Sequence, residues 1–191
     1  GLMGYYQYNL TFEGNTVVSS GTYGGTTSGA YMFYSDGPMN FSNNNIQISN
    51  GAAWGVYMSN CKGNATEPAY FFNNSISVGD AATTSTSTSY GIYMPTNNFQ
   101  MVYNNSMLMY SAGTNSRLAY FTGGVNNEFM NNNMRLDSAN GSGGGYGMYL
   151  LSGVSAMDYN NIDVPNGNYG YFGSVQALSL IHISEPTRPS S

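Results

Sequence analysis

One eight-residue stretch organises the sequence: FFNNSISV at residues 71–78, in which two apolar segments flank a pair of asparagines. Similar stretches recur every 27 to 31 residues and align without gaps. The copies are FEGNTVVS (12–19, the weakest), FSNNNIQI (41–48), FFNNSISV (71–78), VYNNSMLM (102–109), FMNNNMRL (129–136) and MDYNNIDV (157–164). A fixed period of this length is typical of solenoid proteins.

A second, shorter motif follows each copy after a polar segment rich in Gly or Ser. Its copies are GAYM (29–32), GVYM (55–58), GIYM (91–94), LAYF (118–121), GMYL (147–150) and GYFG (170–173). Apolar residues alternate with period two in both motifs, which indicates strands. Val56 and Met58 are predicted to face inward, and Gly55 and Tyr57 outward. The Asn, Gly and Ser residues between the motifs favour turns.

One repeat of two or three short strands cannot bury its own apolar side. Coils stacked about 4.8 Å apart share backbone hydrogen bonds and a common core. The sequence therefore predicts an all-β solenoid, a parallel β-helix of about six coils, over residues 1–177.

An asparagine lies two residues before the central apolar residue of every copy. These residues are Asn15, Asn44, Asn74, Asn105, Asn132 and Asn160. Alternation predicts that they point inward at a bend, where an unpaired amide would cost about 1–3 kcal/mol. Stacked amides can satisfy one another and the turn backbone. We interpret the column as a structural ladder, because Asn has no useful pKa and six equivalent copies do not form a unique catalytic site.

The repeat, with its N-N-x-apolar strands and asparagine column, resembles the right-handed parallel β-helix of the pectin-lyase-like superfamily. The Ser-, Thr- and Asn-rich style of residues 75–94 also resembles large secreted bacterial surface proteins. The resemblance implies an extracellular or cell-surface location and glycans as partners.

An aromatic residue occupies one position of every copy of the second motif. The members are Tyr31, Tyr57, Tyr93, Tyr120, Tyr149 and, as the sixth, Phe172. Since their neighbours are the inward pair, the rings should stand outward in a stripe. Three interpretations stay open: an aromatic ladder that stabilises the sheet, a platform that binds glycans, or a stripe covered by a loop.

The acidic residues do not converge when they are projected on the repeat. In the superfamily that this chain resembles, the enzymes that cleave polyuronates carry clustered acidic residues, often with calcium. The hydrolytic enzymes place two or three Asp residues within one or two coils. Here Asp163 lies one coil beyond Arg135, with Asp137 nearby, which predicts an exposed ion pair. We therefore name no catalytic residue, no metal ligand and no cofactor.

Composition excludes several classes of function. The chain has four Lys or Arg against nine Asp or Glu, a net charge of −5, whereas a nucleic-acid binder neutralises roughly 6–10 phosphates. No apolar run approaches the roughly 20 residues of a membrane span. The single cysteine, Cys61, forms no disulfide within the chain and is predicted to be a buried filler.

The end of the sequence differs from the rest. Residues 178–188, LSLIHISEPTR, resemble a sequencing adaptor translated in frame, and the only histidine, His182, lies there. We interpret residues 178–191 as a non-native tail and exclude them from functional reasoning.

The sequence favours a non-catalytic, secreted or cell-surface scaffold or adhesin that binds glycans through the outward stripe. The alternative is a fragment of a polysaccharide lyase or glycoside hydrolase whose catalytic coils lie outside residues 1–191.

Overall fold

The computed structural model describes residues 1–20, 25–49, 52–80, 86–111, 113–137, 145–165 and 167–173. These residues form strands and turns without helices, and the parallel strands stack as a β-solenoid of about five turns. The predicted fold class is confirmed, with a coil count close to the six expected. The proposed tail, residues 178–191, lies outside the described residues.

Three long parallel sheets run the length of the rod. The first contains β1 (Leu2–Tyr5), β4 (Thr27–Phe33), β7 (Ala53–Ser59), β10 (Tyr90–Met94), β14 (Arg117–Phe121), β18 (Tyr146–Leu150) and β21 (Asn168–Phe172). The second contains β2 (Thr11–Glu13), β5 (Asn40–Ser42), β8 (Ala69–Phe72), β12 (Gln100–Tyr103), β16 (Asn127–Met130) and β19 (Val154–Asp158). The third contains β3 (Thr16–Ser19), β6 (Asn45–Ile48), β9 (Ser75–Val78), β13 (Ser106–Tyr110), β17 (Asn133–Asp137) and β20 (Asn161–Asp163). A short fourth sheet pairs β11 (Asn97–Asn98) with β15 (Gly124–Val125).

Each strand of these sheets pairs with the equivalent strand of the next coil. In the third sheet the paired positions are Val17, Ile46, Ile76, Met107, Met134 and Ile162. These are the central apolar residues of the six sequence copies, so a column of the alignment is a physical stack of side chains.

The core lies between the three sheets and takes apolar side chains from all of them. Phe41 and Phe71 stack in its centre, with ring centroids 4.8 Å apart and planes 2° from parallel. Ile46 and Ile48 are buried while Gln47 between them is exposed, as alternation requires. Burial of each large apolar side chain contributes about 1.5–3 kcal/mol to holding the coils together.

The paired asparagines of the long motif form the corner between the second and third sheets. The first of each pair is exposed and has a left-handed backbone, with φ of 54° at Asn73 and 56° at Asn104. Asn tolerates this conformation better than most residues. The second of each pair, Asn74 or Asn105, is buried. The first asparagine of the motif therefore turns the chain, and the second fills the corner.

Strict alternation fails in the first sheet, and the outward placement of Gly55 is wrong. Gly55 and Val56 are both buried, which leaves Trp54 and Tyr57 on the same outer side. A Cβ atom on Gly55 would lie 2.5 Å from the carbonyl oxygen of Gly91 and 2.5 Å from Cγ2 of Ile76. The first sheet thus contacts the third closely at this glycine.

Among the described residues, no helix is long and apolar enough to cross a membrane.

Candidate functional site

The outer side of the first sheet carries a continuous column of tyrosines. Three adjacent pairs stack face to face: Tyr31 with Tyr57 (4.8 Å between centroids, 18° between planes), Tyr93 with Tyr120 (4.6 Å, 13°) and Tyr149 with Tyr171 (4.5 Å, 16°). Between one pair and the next the rings meet edge to face, with 76° between the planes of Tyr57 and Tyr93 and 84° between those of Tyr120 and Tyr149. We call these six residues the tyrosine column.

Phe172 does not belong to this column, and its assignment from the sequence is wrong. Tyr171 pairs with Tyr149, whereas Phe172 pairs with Leu150 and packs against the core. Gly170 takes the inward place that Met148 has in the previous coil. The alignment was one residue out of register, and in a strand such a slip moves every side chain to the opposite face.

A second column lies beside the first and was missed in the sequence. It consists of Trp54, Tyr90, Arg117 and Tyr146, which pair in register on successive strands. Trp54 stacks on Tyr57 at 4.9 Å, and the centroids of Tyr90 and Tyr93 are 5.0 Å apart. These residues precede the tyrosine column by three positions, not two, because of the consecutive buried residues between them. Together the two columns form what we call the aromatic face.

Arg117 is held within the aromatic face by the rings around it. Its guanidinium carbon lies 4.1 Å from the ring centroid of Tyr149 and 4.4 Å from that of Tyr120. Nη1 donates a hydrogen bond to the hydroxyl of Tyr90 at 3.3 Å. Nε is buried and makes no hydrogen bond to any described residue. The cation thus stabilises the face by cation–π contacts.

The environment of Tyr31, Tyr93 and Tyr120 favours the neutral form of their phenols. Burial, followed by a hydrogen bond with Tyr5, raises the pKa of Tyr31 to about 12. Burial also raises the pKa of Tyr93 and of Tyr120, although the charge of Arg117 acts in the opposite direction on Tyr120. The phenols of Tyr31, Tyr93 and Tyr120 therefore keep their protons at neutral pH and can act as hydrogen-bond donors as well as acceptors.

The asparagine column lies on the inner side of the corner. Oδ1 of Asn105 accepts hydrogen bonds from the backbone N–H (3.0 Å) and Nδ2 (2.9 Å) of Asn74. Nδ2 of Asn105 donates to the carbonyl of Phe71 at 3.1 Å and to Oδ1 of Asn132 at 2.9 Å. The same pattern links Asn15 to Asn44, Asn44 to Asn74 and Asn132 to Asn160. The column connects each coil to the next, and its members from Asn44 to Asn160 are buried.

A further group of buried amides was not found in the sequence. Gln100, Asn97 and Asn127 are completely buried. Nδ2 of Asn127 donates to the carbonyl of Asn97 at 2.8 Å, and the backbone N–H of Gln100 donates to Oδ1 of Asn127 at 3.0 Å. These three residues do not repeat in the other coils, so no sequence column could have indicated them.

The charged groups form isolated contacts on the outside of the rod. The predicted ion pair is confirmed: Arg135 contacts Asp163 at 2.9 Å and Asp137 at 3.1 Å. The hydrogen bond to Asp137, followed by the charge of Asp163, raises the pKa of Arg135. Across the described residues, no three His, Cys, Asp or Glu side chains come together in a group that could hold a metal ion.

Two further reactive side chains, Tyr103 and Cys61, lie outside the aromatic face. The Tyr103 hydroxyl donates to the Glu128 carboxylate, and burial together with this hydrogen bond raises the pKa of Tyr103. Cys61 is buried and unpaired, as predicted, and burial raises the pKa of its thiol to about 11. Such a thiol is protonated at neutral pH and is a poor nucleophile.

Fold and surface together define a parallel β-solenoid with one aromatic outer face. Comparison with protein-family models, curated proteins and solved structures finds no match for this chain.

Proposed function

We propose that the protein is a non-catalytic β-solenoid scaffold or adhesin that binds neutral glycans on its aromatic face, outside the cell. The observation that carries the proposal is the tyrosine column, which continues without a break over six strands of one sheet. Its rings are half-buried, or exposed in the case of Tyr171, so their outer edges contact solvent.

The contacts of the rings decide how a sugar would bind. Within each stacked pair, such as Tyr93 and Tyr120, one face of each ring is covered by the other ring. Ring edges and phenol oxygens are what such a pair presents outward. A glycan would therefore bind chiefly through hydrogen bonds between its hydroxyls and the phenols, which both donate and accept.

The distribution of charge supports a neutral ligand. The chain has a net charge of −5, which repels polyanionic sugars. Arg117, the cation within the face, already contacts Tyr90, Tyr120 and Tyr149. The ion pairs of Arg135 are exposed and lie on a different sheet, away from the aromatic face.

Removal of two hydroxyls tests the proposal without disturbing the stack. In the double variant Tyr93→Phe/Tyr120→Phe the rings remain, so we expect the free energy of unfolding to change by less than about 1 kcal/mol per site. Affinity gel electrophoresis through neutral polysaccharides should show binding weakened by about tenfold or more, since each lost hydrogen bond contributes about 1 kcal/mol.

Tyr70→Phe is the control, because Tyr70 is an exposed tyrosine that lies on the second sheet, outside the aromatic face. It should leave retention unchanged. Equal retention of the double variant and the unmodified chain on every polysaccharide that binds, or no binding to any polysaccharide, would contradict the proposal.

A further inference from the structure

The spacing of the tyrosine column contains information about the shape of its ligand. Successive coils of a parallel sheet rise by about 4.8 Å, which is close to the length of one hexopyranose in an extended chain. The column is continuous along the stacking direction of the coils, because every member pairs in register with the next from Tyr31 to Tyr171. A sugar chain parallel to the rod axis would therefore meet one phenol per sugar.

The orientation of the rings adds a second repeat of two coils. Stacked pairs (13–18° between planes) alternate with edge-to-face contacts (76° and 84°) along the column. The surface therefore repeats every second coil, at about 9.6 Å, twice the coil rise. A flat polysaccharide with equatorial linkages has the same kind of repeat, because alternate sugars are turned over and the chemical unit is a disaccharide.

We infer that the ligand is a linear, neutral polysaccharide with equatorial, β-1,4-type linkages, which lies parallel to the solenoid axis with its disaccharide repeat matched to two coils. This inference rests on the proposed function. A helical chain with axial linkages, such as an α-1,4-glucan, curves away from such a continuous column after one or two sugars and cannot engage successive phenols.

Length dependence tests the match. Isothermal titration calorimetry of the full chain would use cello-oligosaccharides and chito-oligosaccharides, from disaccharide to hexasaccharide, with malto-oligosaccharides of equal length for comparison. We expect affinity for at least one of the two β-1,4 series to rise with each added sugar. The maltohexaose affinity should be lower by about tenfold or more.

Single variants test the direction of the chain. Tyr57→Phe and Tyr149→Phe lie three strands apart in the column, so an axial hexasaccharide should lose about threefold to tenfold in affinity with either change. A chain lying across the sheet would contact only one coil and its neighbours, and would not respond to both changes. Tyr70→Phe again serves as the control outside the face.

The outcomes separate this inference from the proposed function. Malto-oligosaccharides that bind as tightly as the β-1,4 series, with sensitivity to Tyr93→Phe/Tyr120→Phe, would overturn the ligand class and leave glycan binding intact. Affinity for the β-1,4 series that does not change beyond the disaccharide would overturn the axial arrangement alone. Failure of every oligosaccharide and polysaccharide to bind would overturn both.

Discussion

At the scale of single residues, the asparagine column shows how one amide can connect three coils. Asn105 accepts two hydrogen bonds from Asn74 and donates to the carbonyl of Phe71 and to Oδ1 of Asn132. It is buried, so water cannot replace these partners. A leucine has no polar side-chain atom, so it would leave the N–H of Asn74 without its acceptor and remove the hydrogen bonds to the carbonyl of Phe71 and to Oδ1 of Asn132.

We expect Asn105→Leu to lower the free energy of unfolding by about 2–5 kcal/mol, because each unsatisfied buried group costs about 1–3 kcal/mol. Urea unfolding followed by circular dichroism measures this loss. Asn133→Leu is the matched control: the Asn133 side chain is exposed and accepts only an exposed hydrogen bond from Asn161, so a change below about 1 kcal/mol is expected. Equal stability of Asn105→Leu and the unmodified chain would contradict the structural function of the column.

At the scale of elements, the contact between the first and third sheets depends on a glycine. A Cβ atom at Gly55 would lie 2.5 Å from the backbone oxygen of Gly91 and 2.5 Å from Cγ2 of Ile76. The backbone oxygen belongs to β10, the neighbouring strand, so a methyl group at Gly55 would displace β10 relative to β7. Leu118 occupies the same motif position in β14. The third-sheet strand that follows it, β17, carries Met134 and Leu136, neither of which branches at Cβ as Ile76 does.

Gly55→Ala should therefore lower the free energy of unfolding by about 1–3 kcal/mol, the usual cost of overpacking. Gly25→Ala is the control, since nothing lies within 4 Å of the Cβ atom that it would add; we expect it to be neutral or slightly stabilising. Thermal unfolding of the two variants compares them directly. A melting temperature of Gly55→Ala at or above that of Gly25→Ala would show that the sheets can separate to admit the methyl group.

The elements also show what the sequence could predict. The long motif predicted the strands and the inward asparagines because alternation is unbroken from Asn74 through Ile76 to Val78 and the asparagine recurs in every copy. The neighbouring column of Trp54 and Tyr90 was missed because two consecutive buried residues, Gly55 and Val56, place it out of phase with a period of two. Phe172 was misassigned for a related reason: a register shift of one residue reverses the faces of a strand. Buried amides without a repeat, such as Gln100, give no periodic signal at all.

At the scale of the whole molecule, the tyrosines link stability to alkaline pH. Burial raises the pKa of Tyr31 from 10.0 to about 12, and it raises the pKa of Tyr93, Tyr103 and Tyr120 in the same direction. The unfolded chain therefore loses its phenol protons at a lower pH than the folded chain. The stabilisation from neutral phenols is complete below pH 10 and is lost as the pH rises towards and through about 12.

We therefore expect the melting temperature to fall between pH 10 and about 12, together with the appearance of tyrosinate absorbance in the ultraviolet. Tyr31→Phe keeps its ring in the stack with Tyr57 but removes one titrating group, so its melting temperature should fall less steeply over the same range. Circular dichroism and absorbance recorded on one sample separate ionisation from unfolding. A melting temperature that stays constant across this range, or an equal slope in Tyr31→Phe, would show that the phenols ionise alike in the folded and unfolded chains, and that the aromatic face is more accessible to water than its ring contacts indicate.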